Sequence, residues 1–221
     1  MHSILENHGI APAVRRGLRI SALVAPTVAL VGGLFLAFPG FAEEWSLDKQ
    51  AEGISVYTRP VAGSGIKQFK GVADFEAPVE KVVALIRDSD RFKDWFPNTP
   101  ESKLLDRKDK VSYQYSVMDA PWPVSDRDNV LRSVLTRDAD TGVVEIQITA
   151  APDFYPEQPD RVRVRTANGY WRIEPLDPNR SRVTFSMHLE PGGGVPEWLT
   201  NSRVVESPYE ALTNLRASVS R

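Results

Sequence analysis

The chain contains no cysteine. That excludes disulfide scaffolds, thiolate metal sites and cysteine nucleophiles. It leaves the compartment open, because an oxidising space permits disulfides without requiring them. Histidine is scarce as well: there are three in 221 residues, His2 and His8 at the extreme N-terminus and His188 far downstream. A histidine-rich metal site is therefore excluded, and a Ser-His-Asp triad would have to use His188. Charge of one sign is missing too. The formal net charge is −2, whereas nucleic-acid binders usually carry a basic face, so neither nucleic acid nor general adsorption to anionic membranes is expected. Nothing calls for a cofactor or a metal. There are no internal repeats and no interior linker.

One long apolar run is present. Arg15, Arg16 and Arg19 precede residues 20–38, and Gly40 and Ala42 then stand at the −3 and −1 positions of a cut after Ala42. This is the charged, apolar and small-residue order of a secretory signal peptide. A run of this length also suffices to cross a bilayer, so an uncleaved N-terminal anchor is the alternative. Both readings export the folded part, residues 43–221, with the bacterial periplasm as the expected compartment. That part carries 24 Lys and Arg against 28 Asp and Glu. At this size about 70% of the unfolded surface can be buried around one core.

Within it, residues 45–52 read as a short helix stopped by Gly53. Residues 54–59 and 66–74 alternate and form a hairpin. Pro78 opens a helix whose Val79, Val82, Val83 and Ile86 share one face. A short helical turn follows, with Trp95 and Phe96 as core anchors. Strands are expected at 101–106, 111–118, 130–137 and 143–151. The alternation of residues 161–165 puts Arg161, Arg163 and Arg165 on a solvated face. A last hairpin joins 169–176 to 181–190, with Val183, Phe185, Met187 and Leu189 inward and His188 outward and exposed. After Gly192-Gly193-Gly194 a long helix carries Val195, Leu199, Ser202, Val205, Tyr209, Leu212, Leu215 and Val219 as one stripe. Pro208 should kink it, or stop and restart it.

The most distinctive stretch is Pro121-Trp122-Pro123-Val124-Ser125-Asp126-Arg127-Asp128, a stiff loop running into a β-rich segment. It resembles the most recognisable internal motif of the StAR-related lipid-transfer (START) family. Three further segments agree in order and spacing: Glu52-Gly53-Ile54-Ser55-Val56-Tyr57, Asp94-Trp95-Phe96-Pro97-Asn98, and Gly193-Gly194-Val195-Pro196-Glu197-Trp198-Leu199-Thr200-Asn201. Pro208 and Leu212-Thr213-Asn214-Leu215-Arg216 are similar to the end of that family's last helix. The resemblance implies an α+β helix-grip fold, a curved antiparallel sheet wrapped around the C-terminal helix over an apolar cavity. It further implies non-catalytic binding, and transfer, of a lipid, sterol or similar hydrophobic molecule, with transient membrane contact. A cyclase- or aromatase-like enzyme of the wider superfamily, or a regulatory module of the same fold, is the alternative.

Under that resemblance the cavity candidates are Tyr113, Gln114, Tyr115 and Arg132 for polar contact, and Ile146, Ile148, Trp171, Phe185 and Met187 for the wall. The terminal helix would add Leu199, Tyr209 and Leu212. Arg132 either points inward to a polar head group or points outward, where it could pair with an Asp. Trp122, Arg127 and Pro208 are gate candidates. Arg127 is expected to bridge to Asp126 or Asp128, holding the loop, and Pro208 to act as a hinge or a static kink.

Overall fold

The structure, a computed structural model, describes residues 44–220; the apolar N-terminal segment lies outside them. Ten strands form one sheet in the order β1-β2-β3-β10-β9-β7-β6-β5-β4, with β8 attached to β6. They are β1 Ser46–Ala51, β2 Ile54–Val61, β3 Ser64–Phe75, β4 Glu101–Lys108, β5 Val111–Met118, β6 Arg127–Arg137, β7 Val144–Ala150, β8 Val162–Arg163, β9 Thr166–Asp177 and β10 Arg180–Glu190. Every pairing along the main path is antiparallel; β8 alone runs parallel to its neighbour. Helices α1 Val79–Ile86 and α2 Phe92–Trp95 fall between β3 and β4, and α3 Glu197–Val219 closes the chain. The architecture is the expected curved antiparallel sheet with a terminal helix laid across it.

The expected helix at 45–52 is a strand. β1 pairs with β2, from Ser46 against Thr58 to Ala51 against Ile54. The turn between them has Glu52 at φ 50° and Gly53 at φ 73°. Two successive positive φ values make the hairpin turn whose twist matches its strands. Gly53 is thus a turn residue, and strand pairing overrides the local helix signal. α1 follows the expected face, with Val79, Val82, Val83, Leu85 and Ile86 buried.

α3 runs unbroken through Pro208, so the expected stop and restart does not occur. Its buried residues are Val204, Pro208, Ala211, Leu212, Leu215 and Val219. Ahead of Leu212 the buried face therefore lies one residue away from the expected stripe of Val205 and Tyr209. α3 packs on β2 and β3. The close approach requires Gly71: a Cβ there would stand 2.7 Å from Leu212 Cδ1. Asn214 Nδ2 donates to the Trp95 carbonyl at 3.0 Å, and Arg216 Nη1 to the Glu52 carbonyl at 2.9 Å. The C-terminal half of the helix is thereby tied to both α2 and the first hairpin.

The arginines of residues 161–165 do not share a solvated face. β8 is only two residues long, and Asp128 of β6 stands opposite Arg163. Arg163 Nε and Nη2 donate to the two Asp128 oxygens, each at 2.9 Å. Both side chains are buried, at 3% and 0% exposure. Arg163 also donates to the carbonyls of Pro152, Tyr155 and Pro156, and so folds that loop onto the outer side of β6. Arg161 donates to the Tyr115 hydroxyl at 2.6 Å and to Glu101 at 3.1 Å. Only Arg165 meets the expectation of a surface position.

Removing one partner of a buried pair strands the other charge, which costs about 3–5 kcal/mol. An exposed pair contributes roughly 0–1 kcal/mol. Asp128→Ala is therefore expected to lower the unfolding free energy by several kcal/mol in urea titrations. Asp74→Ala removes an equally bidentate but half-exposed pair with Arg182 and should cost under about 1 kcal/mol.

Candidate functional site

A pocket of about 260 Å³ lies between the inner face of the sheet, α3 and the α1–α2 region. Its floor is apolar. Trp171 of β9 and Phe185 of β10 are register partners, and their rings stack at 3.9 Å with 3° between planes. Phe69 meets Phe185 edge-on at 5.0 Å. Ile146, Ile148, Met187, Leu131 and Leu135 extend the floor, and Phe92 and Phe96 overhang it. The other wall is polar. Ser112, Gln114 and Ser116 of β5 and Asn129 and Ser133 of β6 face the same space, with Arg127 at the end of the row. From α3, Leu199, Thr200, Arg203, Val204 and Ser207 close the third side.

The structure thus places Ile146, Ile148, Trp171, Phe185, Met187 and Leu199 on the pocket wall, together with Arg127. Tyr113, Tyr115 and Arg132 are not there. Side chains alternate between faces along a strand; Ser112, Gln114, Ser116, Leu131 and Ser133 take the inner face, so these three point away. Tyr113 stacks on Phe154 at 3.7 Å. Tyr115 is buried in a separate outer cluster with Val117 and Val130, flanked by Leu105, Ala151 and Tyr155. Burial there pushes its phenol pKa up, against the hydrogen bond from Arg161.

Leu212 lies in the core against Gly71 rather than at the pocket. Tyr209 lies under Lys49, whose Nζ is 4.0 Å from the ring centroid. Pro208 is buried on α3 outside the pocket wall. Trp122, in a loop that contains a cis Trp122–Pro123 bond, is 93% exposed. His188 does face away from the pocket, yet it is half-buried rather than exposed, with Nε2 3.1 Å from Glu190 Oε1.

The expected bridge from Arg127 to Asp126 or Asp128 is not made. Asp126 accepts from the Ala120 N–H at 3.0 Å, and Asp128 points to the outer face and Arg163. Arg127 instead donates to the carbonyls of Ser125 and Gly192. Burial pushes its pKa down, with Asp126 the opposing influence. Among the described residues, five buried side-chain polar atoms lack a partner, and three belong to pocket residues: Arg127 Nε, Asn129 Oδ1 and Thr200 Oγ1. Unmatched buried polar atoms are costly, so their concentration here marks the pocket as a place for a partner of its own.

Of Tyr113, Gln114 and Tyr115 on β5, only Gln114 faces the pocket; the serines and Asn129 of the polar wall were not expected. Their signal was the strict alternation Ser112, Gln114, Ser116 against Tyr113, Tyr115, Val117 in β5. Read by hydrophobicity alone, that pattern turns the aromatic face inward. The loop covering the outer face inverts it.

A curved antiparallel sheet closed by its C-terminal helix over a pocket with an apolar floor defines a helix-grip protein. The sequence model of the START domain matches residues 39–221, and the chain belongs to the START domain family. An uncharacterised protein of Pseudomonas aeruginosa is 34% identical over 204 residues, covering 92% of this chain and 98% of that one. Mouse phosphatidylcholine transfer protein is 31% identical over 166 residues, covering 72% of this chain and 75% of its own length. The crystal structure of a STAR-related lipid transfer protein from Xanthomonas axonopodis superposes with a TM-score of 0.76 at 40% identity, covering 80% of this chain and 99% of that one.

Adjacent residues of β6 test the assignment of faces. Leu131→Trp should fill the pocket and weaken binding of the neutral dye Nile red by about tenfold, equivalent to ~1.4 kcal/mol. Arg132→Trp, one residue on and facing out, should leave the titration unchanged. Thermal unfolding of both variants checks that the fold is retained.

Proposed function

We propose that the protein binds a lipid or comparable hydrophobic small molecule in this pocket, without catalysing a reaction on it, and carries it between membrane surfaces. The observation that supports this most is the composition of the wall: a broad aromatic and aliphatic floor faced by hydroxyls, amides and one buried guanidinium. Each methylene moved from water onto such a floor is worth roughly 0.8 kcal/mol. A few polar groups suffice to orient the ligand. The names of two relatives, a phosphatidylcholine transfer protein and a STAR-related lipid transfer protein, point the same way.

The enzyme alternative needs a proton-transfer group beside the substrate. Among the described residues, the buried part of the wall offers no histidine and no carboxylate, which favours a carrier. Export through the N-terminal segment belongs to the same proposal. Cell fractionation with intact-mass measurement is expected to find the protein in the periplasm, beginning at Glu43. Native mass spectrometry of the purified protein should find co-purifying lipid. A protein that stays empty against a broad panel of lipids would overturn the carrier reading.

Transfer requires contact with a membrane, and two exposed tryptophans suit it. Trp122 is 93% and Trp198 is 73% exposed. Their neighbours Pro121, Val124, Val195 and Leu199 line the pocket, so both rings stand at its rim. Trp prefers the membrane–water interface, and the slightly acidic chain has no charge attraction to supply instead. The double substitution Trp122→Ala and Trp198→Ala should reduce co-sedimentation with neutral phosphatidylcholine vesicles severalfold while Nile red binding persists. Salt should have little effect on the unsubstituted protein.

A further inference from the structure

Three arginines of this sheet can be compared by how they use one edge of the guanidinium. Arg163 places Nε and Nη2 on the two oxygens of Asp128, at 2.9 Å each. Arg182 places the same two nitrogens on Asp74, at 2.7 and 2.9 Å. This side-on fork is the geometry that holds a carboxylate or phosphate in two parallel bonds. Arg127 presents the same edge with no acid on it. Its Nε has no partner, and its Nη2 reaches only the carbonyl of Gly192, at 3.2 Å. The residue is 4% exposed.

The other charged residues of the pocket wall are different. Lys67, Lys110, Asp119 and Arg203 are exposed and Arg87 is half-exposed. Arg127 is therefore the one charged pocket residue buried among the described residues. A buried cation without a paired acid is costly, and here only two backbone carbonyls and the charge of nearby Asp126 offset that cost. Two residues along, on the same face, Asn129 is 3% exposed and its Oδ1 also lacks a partner. Ser116, directly across the ladder from Asn129, lines the pocket beside it.

The carbonyl on Nη2 is a replaceable partner. Gly192, Gly193 and Gly194 have φ values of 65°, 65° and 68°, a backbone that side-chain-bearing residues rarely adopt. Gly193 sits so close that a Cβ would come within 3.2 Å of Arg127 Nη2. This bare segment, leading into α3, covers the guanidinium edge with backbone alone.

We propose that Arg127 is the head-group residue of the pocket: its Nε–Nη2 edge receives the oxyanion, carboxylate or phosphate, of a single-chain amphiphile in place of the Gly192 carbonyl. The apolar body then lies on the Trp171–Phe185 floor, and Asn129 Oδ1 takes a hydroxyl or N–H of the same head. At about 260 Å³ the pocket lies just below the usual span of ligand sites, ~300–1,000 Å³, and that size favours one chain over two. The assignment rests on the lipid-binding reading above and narrows it to anionic ligands.

The test compares cis-parinaric acid with methyl cis-parinarate, the same chain with and without the charge, by fluorescence titration at pH 8. The acid is expected to bind the unsubstituted protein at least tenfold more tightly than the ester. Arg127→Gln should erase that preference, weakening the acid far more than the ester, with thermal unfolding checking that the variant has folded. Asn129→Leu should retain the preference of the acid over the ester, since the acid carries no hydroxyl for Asn129. Should Arg127→Gln fail to fold, the acid–ester ratio of the unsubstituted protein decides alone. Equal affinity for acid and ester overturns the head-group assignment and leaves lipid binding standing. Binding of neither probe overturns both. Inorganic phosphate at millimolar concentration should not displace the acid; displacement would make this a free-anion site and overturn the assignment to an amphiphile.

Discussion

Asp128 can be buried on β6 only because Arg163 meets it there with both nitrogens of one edge. A carboxylate without exposure and without a partner would not survive folding as an anion. The hydrogen bonds that Arg163 donates to Asp128 are the first cause of its raised pKa, against the effect of burial. The same guanidinium gathers three carbonyls from the 152–156 loop. That loop carries Tyr155 over the outer cluster of Tyr115, Val117 and Val130. The outer side of β5 and β6 is thus a small core in its own right. Its aromatic residues are used there, and the inner side of the two strands is left to serines and amides. Strand alternation does the rest: with Asp128 held outward, Arg127 and Asn129 must face inward. A slip of one residue would exchange the two faces, bringing the acid into the pocket and the arginine out of it.

Much of this architecture was legible in the sequence. The hairpin β2–β3, the apolar face of α1, the succession of strands and the long terminal helix follow from periodicity. The apolar floor followed too, because Ile146, Ile148, Trp171, Phe185 and Met187 lie on strands whose polar neighbours alternate cleanly. Three features were not legible. Residues 46–51 carry a helix-like pattern, and a two-residue turn at Glu52 and Gly53 commits them to a strand. The buried face of α3 ahead of Leu212 depends on where Gly71 lets the helix descend, which its own stripe does not reveal. β5 and β6 are amphipathic with both faces buried, so hydrophobicity cannot say which one belongs to the pocket. That choice is made by Asp128 and Arg163, 35 positions apart, and a pairing at that distance leaves no local trace.

The pocket that results is unequal in a way that matters for its chemistry. An apolar chain gains everywhere along the floor and is held at no particular position by it. Position has to come from the opposite wall, where directional groups stand in a row ending at Arg127. The energetics of such a wall are asymmetric. An unfilled donor or acceptor costs about 1–3 kcal/mol, so a ligand that satisfies it gains selectivity over one of equal apolar area that does not. The floor therefore governs how strongly a chain is held, and the polar row governs which chain it is.

α3 repeats that inequality along its length. Between Glu197 and Ser207 only Val204 is buried, whereas Pro208, Ala211, Leu212, Leu215 and Val219 are buried beyond it. The first half borders the pocket, fastened to β3 by the paired hydrogen bonds of Asn201 with Lys67 and Gly65. The second half is built into the core. Local opening costs least where few apolar contacts must be broken, and Pro208 stands at the boundary without the N–H that would bond the Val204 carbonyl. The two halves are one helix in geometry and two in energetics. The half that borders the pocket is the one with the fewer apolar contacts to the core.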